Sequence, residues 1–372
     1  MKFTAEKHDL VSKVLHLSNM VPAKNTMPML MNFLIEADED TNRIRFTATD
    51  LEITIVVEAE VGVSEGGKAA VNAKHFTDIV NSLPEGIIRF EKVDEMFKVS
   101  TKSDHFDLLC ADPEQYPLIP QVDMADAITI DAANFAHMIE NTHFAVSSET
   151  NRPIFTGVFW KLSPEGQLMV ATDGKKIAEF KLNKPCEIAE PIERIVPTKG
   201  LQFLRKVITE GNPTLKVMLD TNRVMFNYGQ YTIFSHVLEG RFPDYRKAMP
   251  ENNTNHLKVS RQILLQAVKK ASLMASDETF KVKLEVDDKK LAVSAANREA
   301  GDALIEIEDF AFEGEPTRIA FNYRFLSTIL SVIETDRALL TMGNSQGPAL
   351  LFNDGLEADY EARFLLMPLR IV

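Results

Sequence analysis

A chain of 372 residues with 45% apolar and 26% charged side chains is ordinary globular material, long enough for two to four domains with sizeable cores. Lys and Arg number 41 against 54 Asp and Glu, and the net charge of −13 excludes a uniformly basic nucleic-acid binder but not one with its cations on a single face. No run approaches the roughly 18–20 apolar residues of a membrane span, and two cysteines, Cys110 and Cys186, are too few for a disulfide framework or a four-cysteine zinc site.

The first nine residues turn polar at once, so no export signal and a reducing cytoplasm are expected. Phe3 and Thr4 lead into a helix predicted over 5–18, where Leu10, Val11, Val14 and Leu15 follow the 3.6-residue period. Strands are expected over 30–37, 43–49 and 51–61, the first turn being the polar tract 38–42. A strand near 69–71 then opens a second helix over 73–82, stopped by Pro84, and strands follow over 87–91, 96–101 and 105–110. Further helices are predicted over 132–145, 198–209, 261–274 and 322–333.

These elements recur. The segments around Val71, Val196 and Ala320 share a strand, a polar residue or two and a short amphipathic helix, and those around Asp50, Asp173 and Asn297 recur upstream of them. The intervals are 123–125 residues, and a third of the chain is 124. Three copies of one domain therefore fill the sequence, with expected bounds 1–125, 126–252 and 253–372. Each copy reads as one strand, one helix and three strands taken twice. That predicts an α+β domain of eight strands and two helices, the helices packed on one face of antiparallel sheet.

The six predicted helices hold ten Lys and Arg against four Asp and Glu, so they carry +6 while the rest of the chain carries −19. Helices tolerate Lys and Arg while turns collect Asp, which is one account of this split. The other is a shared basic surface, which repetition favours because repeats present equivalent helices on one side.

Two motifs suggest chemistry and fail on context. Residues 62–68 satisfy the first seven positions of a phosphate-binding loop, but Ala69 stands where Ser or Thr should hold the metal ion, and a strand follows where a helix is required. Gly62-Val63-Ser64-Glu65-Gly66 matches a nucleophile elbow and lacks the same helix. A flexible polar turn accounts for both. The histidines show no metal-ligand spacing, and no catalytic residue, cofactor or metal is expected.

Three segments carry a family resemblance: Ala171-Thr172-Asp173-Gly174-Lys175-Lys176-Ile177-Ala178, Gly240-Arg241-Phe242-Pro243-Asp244-Tyr245-Arg246, and the tail Met367-Pro368-Leu369-Arg370-Ile371. With the threefold repeat, they make the chain resemble the bacterial DNA polymerase III beta subunits, the replicative sliding clamps, along its whole length. The resemblance implies a DNA-clamp fold in which two copies join head to tail and six domains close a ring around duplex DNA. Helices would line the hole, and diffuse phosphate contacts without sequence information would let the ring slide. It implies as partners a second copy, duplex DNA, a clamp loader, the DNA polymerase III alpha subunit and other polymerases, and repair and ligation proteins that carry clamp-binding peptides, with no membrane.

The partner-peptide pocket implied by the resemblance comprises Phe155, Thr172, Gly174, Lys175, Lys176 and Ile177, then Pro243, Arg246 and Lys247, then Met367, Pro368, Leu369 and Arg370. Family members commonly carry His-Arg at the place of Lys175-Lys176 and an aliphatic residue at that of Lys247, which bears on peptide preference. An ordinary terminal strand is the alternative for the tail. The implied dimer contact sets Phe106 and Leu108 against Leu273 and Met274, each of which could instead be a core residue. Lys24 and Lys199 resemble DNA-touching positions, and Arg205, Lys206, Lys269 and Lys270 are further candidates on the basic helices; solvated side chains are the alternative. Two other functions compete with the clamp: a nucleotide hydrolase built on 62–68, and an acidic repeat scaffold for proteins alone.

Overall fold

A computed structural model of the chain describes residues 1–22, 24–120, 124–208 and 212–371. Among them are six α-helices: α1 (Lys7–Ser18), α2 (Ala73–Ser82), α3 (Ala132–Glu140), α4 (Thr198–Val207), α5 (Arg261–Ser272) and α6 (Tyr323–Val332). Each follows directly on a strand, and the residue at the join supplies the cap in four of them. The Asn72 side chain accepts from His75 N at 3.0 Å, Asp131 from Asn134 N at 2.7 Å, Ser260 from Ile263 N at 3.5 Å and Asn322 from Arg324 N at 2.9 Å. A short polar side chain after an apolar strand thus satisfies an N–H that the first helical turn cannot.

The predicted helices hold with trimmed ends. The 132–145 segment breaks after Glu140 into a separate 3₁₀ turn, His143–Ala145. There the Thr142 hydroxyl donates back to Met138 O at 2.7 Å and the ring of His143 bonds Ile139 O, so polar side chains take up the carbonyls of the last turn. The expected end of the fourth helix at Thr209 lies outside the described residues. Glu6 ends a strand instead of joining α1, so the observed helices hold ten cations against three acids.

The chain divides into two compact units, Met1–Phe135 with Lys199–Val237, and Ala136–Thr198 with Leu238–Val372. The division runs through the second repeat because the ladders ignore repeat boundaries. In the first unit Tyr231–His236 pairs antiparallel with Ile53–Glu60, joining four second-repeat strands to nine first-repeat strands in one thirteen-stranded sheet. In the second unit Lys176–Leu182 pairs with Tyr360–Leu366, which gives a nine-stranded sheet beside a separate four-stranded one.

The first unit's sheet is two-faced, as alternation requires. Phe33, Ile44, Phe46, Ile53, Ile55 and Ile233 are buried on one face. Helices α1, α2 and α4 cover that face: α1 packs on Arg43–Thr49 and Ile53–Glu60, Phe76 of α2 lies against Phe33 and Phe46, and Gly200 of α4 sits by Ile53 and Ile233. The opposite face carries ion pairs, Arg45–Glu58 and Lys68–Glu36, each at 2.9 Å. The Phe76 ring is the hub of an aromatic core, with Phe46, Phe90, Phe97 and Phe33 at centroid distances of 5.8–6.2 Å.

The segment 62–68 is not the flexible turn expected. Gly62–Glu65 is a fifth strand of the first half-repeat, paired with Lys2–Thr4, and Gly67–Asn72 begins the next strand immediately. The first repeat consequently has nine strands instead of eight, and so has the third, where Phe310–Glu313 is the extra one. Each is a four-residue strand at a sheet edge, Gly-Val-Ser-Glu in one repeat and Phe-Ala-Phe-Glu in the other, too short for alternation to be read along it.

Candidate functional site

The segment 172–177 is a tight turn between Gly166–Thr172 and Lys176–Leu182. Gly174 takes the left-handed conformation at φ +83°, which favours glycine there. Asp173 accepts the backbone N–H of Lys175 at 2.8 Å and of Lys176 at 2.9 Å, while the buried Thr172 hydroxyl donates to Lys176 O at 2.7 Å and accepts from Gly174 N at 3.0 Å. Lys175 is exposed, and its carbonyl accepts from Met367 N at 2.9 Å. From that bond the tail runs to Ala320, whose carbonyl accepts from Leu369 N at 2.7 Å. Met367 is 40% exposed, Pro368 and Leu369 are half-buried, and Arg370 is exposed.

Ladder register sorts the neighbours. Ile177 lies opposite Leu365, and Lys176 opposite Leu366, so successive residues look to opposite faces. On one face Ile177 joins a buried cluster with Val170, Tyr245, Leu350 and Leu365, flanked by Phe159 and Phe242, which stack at 5.1 Å. This brings the 240–247 segment onto the strand that carries Ile177. The Tyr245 hydroxyl donates to Glu179, and burial, with that carboxylate beside it, holds the phenol well above its usual range. On the other face the Lys176 ammonium is buried against the Asp173 carboxylate and over the Phe325 ring.

Phe155 ends the 3₁₀ turn Pro153–Phe155 and is half-buried, its carbonyl accepting from Ser147 N at 2.7 Å. Its neighbour Ile154 touches the α-carbon side of Gly240, where an added Cβ would lie 3.0 Å from the Ile154 methyl. All four sequence segments therefore share one continuous region of the second unit. Within it Pro243 is half-buried, Lys247 is exposed and paired to Asp244 at 3.4 Å, and Arg246 stacks over Tyr245 and lines a cleft of about 430 Å³ with Glu179, Lys181 and Arg363.

The candidate DNA-facing cations are all exposed. Arg205 and Lys206 close α4, and Lys269 and Lys270 close α5, at helix ends where the macrodipole favours positive charge. Lys199 is ion-paired to Asp50, which partly neutralises it, and Lys24 sits in the bend before Met27. Of the four apolar residues expected at a dimer contact, Leu273 is 77% and Phe106 is 37% exposed, and Leu108 and Met274 are half-buried. Leu109, 70% exposed, lies on His105–Ala111, and Leu304, 56% exposed, lies on the edge strand Gly301–Ile307; neither was expected from the sequence. The signal available in sequence is a leucine in the polar phase of its strand, Leu109 with His105 and Asp107, and Leu304 with Asp302 and Glu306.

The chain matches the family models for the DNA polymerase III beta subunit N-terminal domain over residues 1–120, its central domain over 129–244 and its C-terminal domain over 246–370. The chain belongs to the DNA polymerase III beta subunit family. The beta sliding clamp of Caulobacter vibrioides is 28% identical over 378 residues, covering 100% of both chains, and that of Staphylococcus aureus is 29% identical over 381, covering 100% of this chain and 99% of its own. The solved sliding clamp of Bacillus subtilis matches all of both chains with a TM-score of 0.91 at 27% identity. The Pseudomonas aeruginosa beta subunit, at 24% identity and TM-score 0.91, matches in fold. The chain accordingly has the three-domain beta-clamp fold, and its function is that of a sliding clamp, not of an acidic scaffold for proteins alone. Among the described residues no helix is long and apolar enough to cross a membrane.

Proposed function

We propose that two copies of this clamp join head to tail into a ring around duplex DNA, without catalysis, and that the ring tethers polymerases by a peptide site on its second and third domains. The observation that carries this reading is the opposition of charge: helices with ten cations and three acids in a chain of net charge −13. A basic helical surface attracts phosphates without fixing a register, and an acidic remainder disfavours adsorption of DNA elsewhere.

In this reading the domains are 1–125, 126–252 and 253–372. Lys24, Arg205, Lys206, Lys269 and Lys270 face DNA, with Lys199 shared between DNA and Asp50. Phe106 and Leu108 of one copy meet Leu273 and Met274 of the next. Ile177, Pro243, Met367, Pro368 and Leu369 form an apolar floor for peptide anchors, with Phe155 beside it, Thr172 and Gly174 shaping the turn, and Lys175, Arg246, Lys247 and Arg370 at the rim. Partners are a clamp loader, the DNA polymerase III alpha subunit, other polymerases, and repair and ligation proteins bearing such peptides, in the cytoplasm at the nucleoid.

The test is retention on DNA. Protein loaded on nicked circular DNA in moderate salt stays bound and is lost when the circle is cut to a linear form. Equal retention on circles and on linear DNA with free ends refutes encirclement, because phosphate contacts alone weaken alike on both as salt rises.

A further inference from the structure

We propose that Lys176 is a positioning residue that holds the C-terminal tail in place from the far side of the sheet and does not itself touch a bound peptide. This rests on the peptide-site reading above. Its side chain is 7% exposed, so the ammonium is out of reach of anything seated on Met367, which is 40% exposed.

The contacts around Lys176 form a closed circuit. Asp173 binds the Lys176 ammonium through one carboxylate oxygen and the N–H groups of Lys175 and Lys176 through the other. The turn so fixed presents the Lys175 carbonyl to Met367 N, and two residues on, Leu369 N reaches Ala320 O. Ala320 lies on the strand Thr317–Asn322 that runs straight into α6. From α6, Phe325 places its ring 4.2 Å from the Lys176 ammonium, which closes the circuit. The tail spans from the turn to the Thr317–Asn322 strand, and the Lys176 side chain ties the same turn to the helix that follows that strand. A cation held by a carboxylate on one side and an aromatic face on the other sets the separation that Met367, Pro368 and Leu369 must bridge. Asp173, itself 13% exposed, needs that cation, since a buried carboxylate without one carries a desolvation cost.

The experiment measures affinity of the full-length dimer for an acidic synthetic peptide of Gln-x-x-Leu-x-Phe form across a salt series, for wild type, Lys176→Met, Lys176→Arg, Lys175→Met and Asp173→Asn/Lys176→Met. The positioning role predicts that Lys176→Met weakens binding about tenfold, within the range of couplings between distinct sites, with the salt dependence unchanged. Lys176→Arg retains most of the affinity. Asp173→Asn/Lys176→Met recovers part of the loss, because the uncompensated carboxylate is gone. Lys175→Met flattens the salt dependence instead, as an exposed rim cation does. The proposal is overturned if Lys176→Met flattens the salt dependence, which marks direct contact, or leaves affinity unchanged. The double variant also controls for folding: if it melts like wild type yet binds no better than Lys176→Met, the circuit is not what places the tail. A wild-type protein that binds no peptide refutes the peptide site itself, a separate outcome.

Discussion

Removing the tail from Met367 onward separates a binding element from a structural strand. Truncation breaks two backbone hydrogen bonds, Met367 N to Lys175 O and Leu369 N to Ala320 O, each contributing about 1 kcal/mol net. Half-buried Pro368 and Leu369 together add roughly 1–2 kcal/mol of apolar burial. The total is about 3–4 kcal/mol. The strand before the tail is unaffected, for Phe364, Leu365 and Leu366 are at most 1% exposed and their ladders to Lys176–Leu182 and Ala349–Asn353 remain. The truncated chain should therefore fold and dimerise, melting on the order of 10 °C lower at most. A few buried anchors dominate peptide affinity, so losing the residues beneath them should weaken binding by roughly 100-fold or more. Calorimetric titration with a Gln-x-x-Leu-x-Phe peptide, a melting curve and light scattering on both proteins provide the check. Wild-type peptide affinity in a normally folded truncated protein refutes the site assignment, and loss of the dimer makes the tail a structural strand.

Replacing Leu273 and Met274 together by Ala should yield monomers at micromolar concentration by light scattering, because Leu273 is 77% exposed in the single chain and its burial awaits a second copy; a persisting dimer contradicts the interface. Phe76→Ala removes the fully buried hub of the aromatic core and should destabilise the first unit by about 3–5 kcal/mol in denaturant unfolding, whereas a loss under 1 kcal/mol would mean that the core collapses around the gap. Burial, then the nearby Lys206 charge, lowers the pKa of His16, whose ring bonds the Tyr231 hydroxyl at 3.0 Å. The unfolded chain thus binds the proton more readily, so this group's contribution to stability is present above the ordinary histidine pKa and is lost as pH falls through it. His16→Gln should flatten that part of the stability profile between pH 7 and about 5, and an unchanged slope rules out the assignment.

Helix positions and the threefold repeat were legible because both are local or periodic properties of sequence. An apolar residue every three to four positions, Asn72 or Asn322 ahead of it and Pro84 behind are read within a dozen residues. The family segments at 171–178, 240–246 and 367–371 named the candidate site for the same reason, as short exact strings. Strand partners were not legible. Nothing in Tyr231–His236 says that it pairs with Ile53–Glu60 of the preceding repeat, since alternation fixes which side chains share a face and leaves the partner to long-range packing. Lys175 and Lys176 show the limit most sharply. In sequence they are two identical cations side by side; in the fold one is exposed and the other sits against Asp173 and Phe325. The strand begins at Lys176 and sends consecutive residues to opposite faces, and only the Phe325 ring of α6 against the Lys176 face made that face a burial site for a charge.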